Sequence, residues 1–197
     1  METKKNKSLI SITYNAPVIL TFALVSFIAL IIANLTQNRS NVLLFEVYRS
    51  RLSVFWFLRL FLHPLGHANF THFTSNMTLF LLIGPVLEEK YGSANLLEMF
   101  VITAVISGLV MVVFFPGTAL LGASGIVFMM IILMSSSGLG NGKIPLTMIL
   151  VVVIYLGAEI YKAITAKDDI SQLSHIIGGI CGAVFGFIYE RGGLRKK

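Results

Sequence analysis

Only one cysteine, Cys181, occurs among the 197 residues, so an internal disulfide is excluded. Cys181 lies in an apolar run and reads as packing. Charge is scarce as well: 12% of residues are Asp, Glu, Lys or Arg, about half the usual share of a soluble domain, near 25%. Carboxylates are fewest, nine in all. No internal repeat or low-complexity tail is present, and no cluster has metal-ligand spacing. His63, His67 and His72 step by four and five residues without carboxylate partners, so neither a metal nor another cofactor is expected.

Apolar residues dominate, at 56% of the chain with a mean hydropathy of +0.85. Runs of about 20 apolar residues are long enough to cross a bilayer as helices. Six can be drawn: Pro17 to Leu35, Phe70 to Leu87, Leu96 to Phe115, Ser124 to Ser136, Ile144 to Ile160 and Gln172 to Tyr189. The chain is therefore expected to be all-α, one polytopic bundle of six transmembrane helices over residues 17–190. A tail of residues 1–16 precedes it and a basic tail of 191–197 follows. The fourth run is short, as suits a helix that starts below the membrane surface. The first is too long for a signal-peptide core and reads as an anchor.

The net charge of +6 does not point to nucleic acid, because the basic residues sit mostly at span ends. With an even number of spans both termini share one side. Lys4, Lys5, Lys7, Lys90, Lys143, Arg191, Arg195, Lys196 and Lys197 then fall on the inside, nine against six on the other. This bias predicts cytoplasmic termini in a multi-pass protein of a bacterial plasma membrane. Between the first two spans, residues 36–69 mix aromatics and arginines ("FEVYRSRLSVFWFLRLFLHPL"), which suits an amphipathic segment lying in the interface. The Trp and Arg of this segment are expected to anchor it to the membrane.

Polar residues inside spans mark function or an internal partner. His72 and Asn76 are four apart and share a helix face that continues through Phe80 and Gly84 to Glu88. His175 is followed by Gly178, Gly182 and Gly186 at +3, +7 and +11, a face that lets another helix come close. Gly122-Ala123-Ser124-Gly125 opens the fourth span. Packing of the fourth and sixth spans would bring the Ser124 hydroxyl to the His175 ring, a base suited to taking its proton. A helix start presents free backbone N–H groups for an oxyanion, and His72 and Asn76 can complete such a hole. Asp168 and Asp169 precede His175 in a loop and read as solvated rather than as a third catalytic member.

These motifs resemble those of the rhomboid intramembrane serine proteases. "GASG" around Ser124, "HFTSN" with His72 and Asn76, and "SHIIGGICG" with His175, Gly178 and Gly182 match in order and spacing over roughly Trp56 to Gly186. "EEKYGS" adds Glu88, where a structural carboxylate is common, and His67 precedes His72 at the family's spacing. The resemblance implies a dyad in which Ser124 is the nucleophile and His175 the general base and then acid. The Ser124 backbone N–H, His72 and Asn76 would hold the oxyanion, with Gly122, Gly125, Gly178, Gly182 and Phe128 in support. Phe128 stands where a tyrosine that packs on the histidine is common, and the family's Trp-Arg pair is only loosely kept in Trp56 and Arg59. Transmembrane proteins of the bilayer are the implied substrates, admitted where the fifth span, around Val153 to Ile160 with Gly157, moves away from the second. The alternative is a catalytically silent relative that binds membrane clients. A transporter fits less well, because the span cores are almost free of charge.

Overall fold

In lipid a single segment can satisfy its backbone hydrogen bonds only as a helix, and the apolar runs of this chain take that form. The computed structural model describes residues 12–136, 143–157, 161 and 170–191. Helix α1 covers Pro17–Leu35, α2 Val54–Leu62, α3 Phe70–Tyr91 and α4 Ser93–Phe114. Helix α5 covers Ser124–Ser135, α6 Leu146–Val151 and α7 Ile170–Arg191. A π-helical segment, Val152–Leu156, continues α6. Among the described residues, four helices are long and apolar enough to cross a bilayer: α1, α3, α4 and the Gln172–Tyr189 part of α7. The 12 residues of α5 span about 18 Å, short as its sequence indicated. The run expected from Ile144 to Ile160 is helical from Leu146 to Leu156. Residues 158–160, Asp168, Asp169 and most of both tails lie outside the described residues.

Two span ends differ from the sequence reading. Helix α3 runs on past Leu87 to Tyr91, and α4 starts at Ser93 rather than Leu96. Gly92, at φ 83°, makes the sharp connection that only a residue without a Cβ takes easily. The polar end of α3 stays helical because Glu88 has partners there. Pro17 opens α1, whose first N–H groups have no acceptor within the helix. Those of Val18 and Ile19 donate to the two Glu88 carboxylate oxygens, at 2.9 and 3.0 Å, and the Ser93 hydroxyl donates to one of them at 2.7 Å. One turn along, a Cβ on Gly84 would lie 2.5 Å from Ile19 Cδ1. The face that carries Gly84 and Glu88 therefore meets α1 rather than lipid. The main core joins α1, α3, α4, α5 and α7 through Ile19, Phe80, Leu87, Met99, Met130 and Ile177.

Residues 36–69 fold into more than an interfacial helix. A π-turn, Asn41–Phe45, leads to strand β1, Val47–Tyr48. This strand pairs antiparallel with β2, Ala119–Leu120, in the register Val47 to Leu120 and Tyr48 to Ala119. Helix α2 is amphipathic, with Phe55, Phe57, Leu58 and Phe61 exposed. Trp56 and Arg59, expected to anchor the segment in the membrane, instead point inward at 8% and 7% exposure. Trp56 packs with Val47, Leu60, Met111 and Leu120 in a second core. The Arg59 charge is accommodated because its Nε donates to Phe55 O at 3.1 Å and its guanidinium lies 4.4 Å above the Tyr48 ring.

Candidate active site

Ser124 is the first residue of α5, and the turn before it is tightly specified. Gly122 sits at φ 116°, a conformation that L side chains rarely adopt. A Cβ there would also lie 2.6 Å from His72 Cε1 and 2.8 Å from its Nε2. Glycine at this position thus serves twice, turning the chain and letting the His72 ring lie against it. The Gly122 N–H donates to His63 O at 2.9 Å, and β2 ties the preceding residues to the 36–69 loop. The first contact within α5 is the Val127 N–H to Ala123 O, at 2.9 Å. N–H groups before it have no carbonyl one turn behind them in the helix.

Helix α7 crosses α5 backbone against backbone. A Cβ on Gly178 would run into the Gly125 carbonyl, and one on Gly182 into the Met129 carbonyl. Gly178 and Gly182 therefore lie on the seam their spacing predicted, and the fourth-span start is its counterpart. Gly125 also faces Ser174, whose Oγ would lie 2.8 Å from an added Cβ. His175 precedes Gly178 by one turn, and Phe128 follows Ser124 by one turn on α5. The Phe128 and His175 rings are stacked, with centroids 4.1 Å apart and planes within 4°. Losing the usual hydroxyl at this position leaves the stack intact. Ser124 and His175 are both half-buried.

The start of α3 supplies the third wall. Asn69 caps this helix, its side-chain oxygen accepting the His72 N–H at 2.8 Å. Asn76 is buried, and its Nδ2 has no hydrogen-bond partner among the described residues. An added Cβ on Gly122 would be 3.8 Å from that nitrogen, so the amide borders the turn before Ser124. Of the nine site positions named from the sequence, all except Gly182, one turn deeper on the seam, thus lie around the start of α5.

Sequence reasoning gave no role to three contributors. His63 is buried and its Nε2–H donates to Ala104 O at 3.0 Å. Burial pushes its pKa down to about 4, only partly opposed by that bond. His67 is fully buried, its Nδ1–H donating to Leu65 O at 3.2 Å, and its ring meets that of His72 edge-on at 5.1 Å. Burial, and then the nearby His72, push its pKa down to about 4. Both rings are neutral at neutral pH. The third is Tyr155, whose ring contacts Phe128 at 6.1 Å and so extends the stack from α7 to the α6 segment. Only family spacing pointed to His67, and nothing in the sequence marked Tyr155. Among the described residues, no three His, Cys, Asp or Glu side chains gather as metal ligands would.

A Rhomboid domain family model matches residues 54–192. The chain is 26% identical over 155 residues to rhomboid protease GlpG of Haemophilus influenzae, covering 78% of each protein. It is also 26% identical over 131 residues to rhomboid-related protein 1 of Caenorhabditis elegans, covering 62% of this chain and 37% of that protein.

Proposed function

Because the chain belongs to the rhomboid family and is an integral multi-pass membrane protein, we propose that it is an intramembrane serine endopeptidase acting through Ser124 and His175. The observation that carries this reading is the His175 ring stacked on Phe128, one turn from Ser124, where α5 and α7 meet glycine to glycine. In the proposed reaction Ser124 Oγ attacks the scissile carbonyl as His175 takes its proton. The oxyanion is received by the Ser124 N–H, Asn76 Nδ2 and His72. His175 then gives the proton to the leaving amine, and water, activated by the same ring, releases the acyl group from Ser124. The unpartnered Asn76 Nδ2 supports this assignment, as a donor held ready for charge that appears only during reaction. The substrates in this reading are membrane proteins cut in or near a transmembrane segment, and the outward-facing apolar surface keeps the enzyme in the bilayer with them.

The test is labelling of the detergent-solubilised protein with a fluorophosphonate, comparing wild type with Ser124→Ala and His175→Ala. Label on wild type that disappears in both variants is the expected result. Label that persists in Ser124→Ala would make this serine a packing residue. Absence of label on folded wild type would favour the silent, client-binding relative.

A further inference from the structure

Away from the proposed catalytic centre, the 36–69 loop holds a cavity of about 500 Å³ lined by Arg39, Val42, Leu43, Tyr48, Ser53, Phe55 and Arg59. Its composition is unusual for a membrane-facing surface. Two guanidiniums and two hydroxyl-bearing side chains are set among three apolar ones, and no carboxylate lines it. The loop as a whole carries Arg39, Arg49, Arg51 and Arg59 against one acid, Glu46. On the topology expected from the sequence, these arginines lie on the side where positive residues are normally sparse, so orientation does not explain them.

We propose that this cavity binds the headgroup of an anionic phospholipid from the leaflet on this side of the membrane. Arg59 is the fixed element. The residue is 7% exposed and its guanidinium is held by Phe55 O and the Tyr48 ring, yet its Nη1 is buried with no hydrogen-bond partner among the described residues. Burying an arginine with a spare donor is costly unless an anion completes it. Arg39 is exposed at the rim and forms no ion pair among the described residues, so it is available to a phosphate. Glu46 lies close enough to Arg59 to feel its charge, but burial raises the Glu46 pKa, which weakens its claim on the guanidinium. The apolar part fits the rest of a lipid. Val42, Leu43 and Phe55 are 44–49% exposed, and Phe57, Leu58 and Phe61 continue an apolar face on α2. This face seats the loop at the depth where headgroup meets acyl chain. A soluble phosphate would use the arginines but gain nothing from that surface.

The chain's single tryptophan, Trp56, provides a reporter. It follows Phe55, and its backbone N–H donates to the cavity-lining Ser53 Oγ at 3.2 Å. The full-length protein is reconstituted in phosphatidylcholine bilayers containing a low, fixed fraction of either bromine-labelled phosphatidylglycerol or bromine-labelled phosphatidylcholine. The label quenches tryptophan only at short range. Stronger quenching by the phosphatidylglycerol label is expected, because each arginine near an anionic surface adds roughly a five-fold preference. Arg39→Ala, a surface change, should reduce that preference about five-fold, and Arg59→Lys should weaken it while keeping the positive charge. Equal quenching by the two lipids in wild type would overturn the proposal. So would a preference unchanged in Arg39→Ala, which would place the lipid elsewhere. Loss of the preference on adding millimolar inorganic phosphate would assign the site to free phosphate and overturn the lipid assignment.

Discussion

A buried amide nitrogen without a partner costs about 1–3 kcal/mol, and among the described residues Asn76 Nδ2 is such a group, beside the turn before Ser124. If it waits for an oxyanion, removing it should harm the reaction and leave substrate binding alone. Asn76→Ala is expected to lower kcat by about 100- to 1000-fold with KM little changed, measured on a membrane-embedded substrate. A rise in KM with kcat intact would make Asn76 a binding residue instead. Phe128 tests the histidine's seating. A stacked pair adds about 0.5–1.5 kcal/mol, so Phe128→Ala should lower kcat about three- to ten-fold, whereas Phe128→Tyr should keep wild-type activity. His63 and His67 make a different prediction. Both titrate near 4 when folded but near 6.5 in the unfolded chain, so below about pH 6.5 the unfolded state binds more protons. Their contribution to stability is complete above about pH 6.5 and is lost as pH falls toward 4. A gap of about 2.5 pH units corresponds to roughly 3 kcal/mol for each. The melting temperature of the solubilised protein should therefore fall steeply between pH 6.5 and 4.5, and His63→Gln should flatten part of that fall. Of these residues, those whose polarity interrupts an apolar span were legible in the sequence: His72, Asn76, Ser124 and His175. His63 was not, and His67 only through the family's spacing, because what distinguishes them is burial by a loop whose fold no local pattern encodes.

Long helices were the readable elements, because an apolar run of span length has one way to satisfy its backbone in lipid. The glycine seam was equally readable, since spacing alone fixes which face of α7 carries it. The structure adds how tight the seam is. With Gly178 against the Gly125 carbonyl and Gly182 against the Met129 carbonyl, no flexible side chain can yield to an added methyl. Gly178→Ala should force α7 off α5, destabilise by about 1–3 kcal/mol or more and abolish fluorophosphonate labelling. Gly157→Ala is the matched control, because its Cβ would meet nothing within 4 Å and the change should be nearly silent. Equal tolerance of both substitutions, read by melting and by labelling, would mean that the seam has slack. The β1–β2 pair shows where element-level reading stops. Two residues are too few for a period-2 pattern, and Val47 finds its partner in Leu120 across three helices. The inward turn of Trp56 and Arg59 follows from that pairing, which explains why their sequence suggested the opposite.

At the scale of the whole molecule, the sequence yields an all-α bundle and the order in which its motifs converge, but not which contacts open. Helix α5 is enclosed by α3, α4 and α7 through buried Met129, Met130, Ile132 and Leu133, and a substrate helix cannot pass there without breaking the core. The α6 segment is different. Val153, Ile154 and Tyr155 are 40–64% exposed, and Gly157 has open space beside it. Tyr155 is the ring that touches Phe128, so the segment reaches toward the proposed site with few buried contacts to hold it, the profile of an element that moves. Lateral access between α6 and α3 follows as a prediction. The chain's one cysteine, Cys181, is buried on α7, so cysteine pairs introduced on α3 and α6 can be cross-linked with little background. Cross-linking should block cleavage of a membrane-spanning substrate while a small fluorophosphonate still reaches Ser124 from the aqueous side. Cleavage that survives the cross-link would refute this route. Loss of probe labelling along with cleavage would instead show that the cross-link had distorted the site itself.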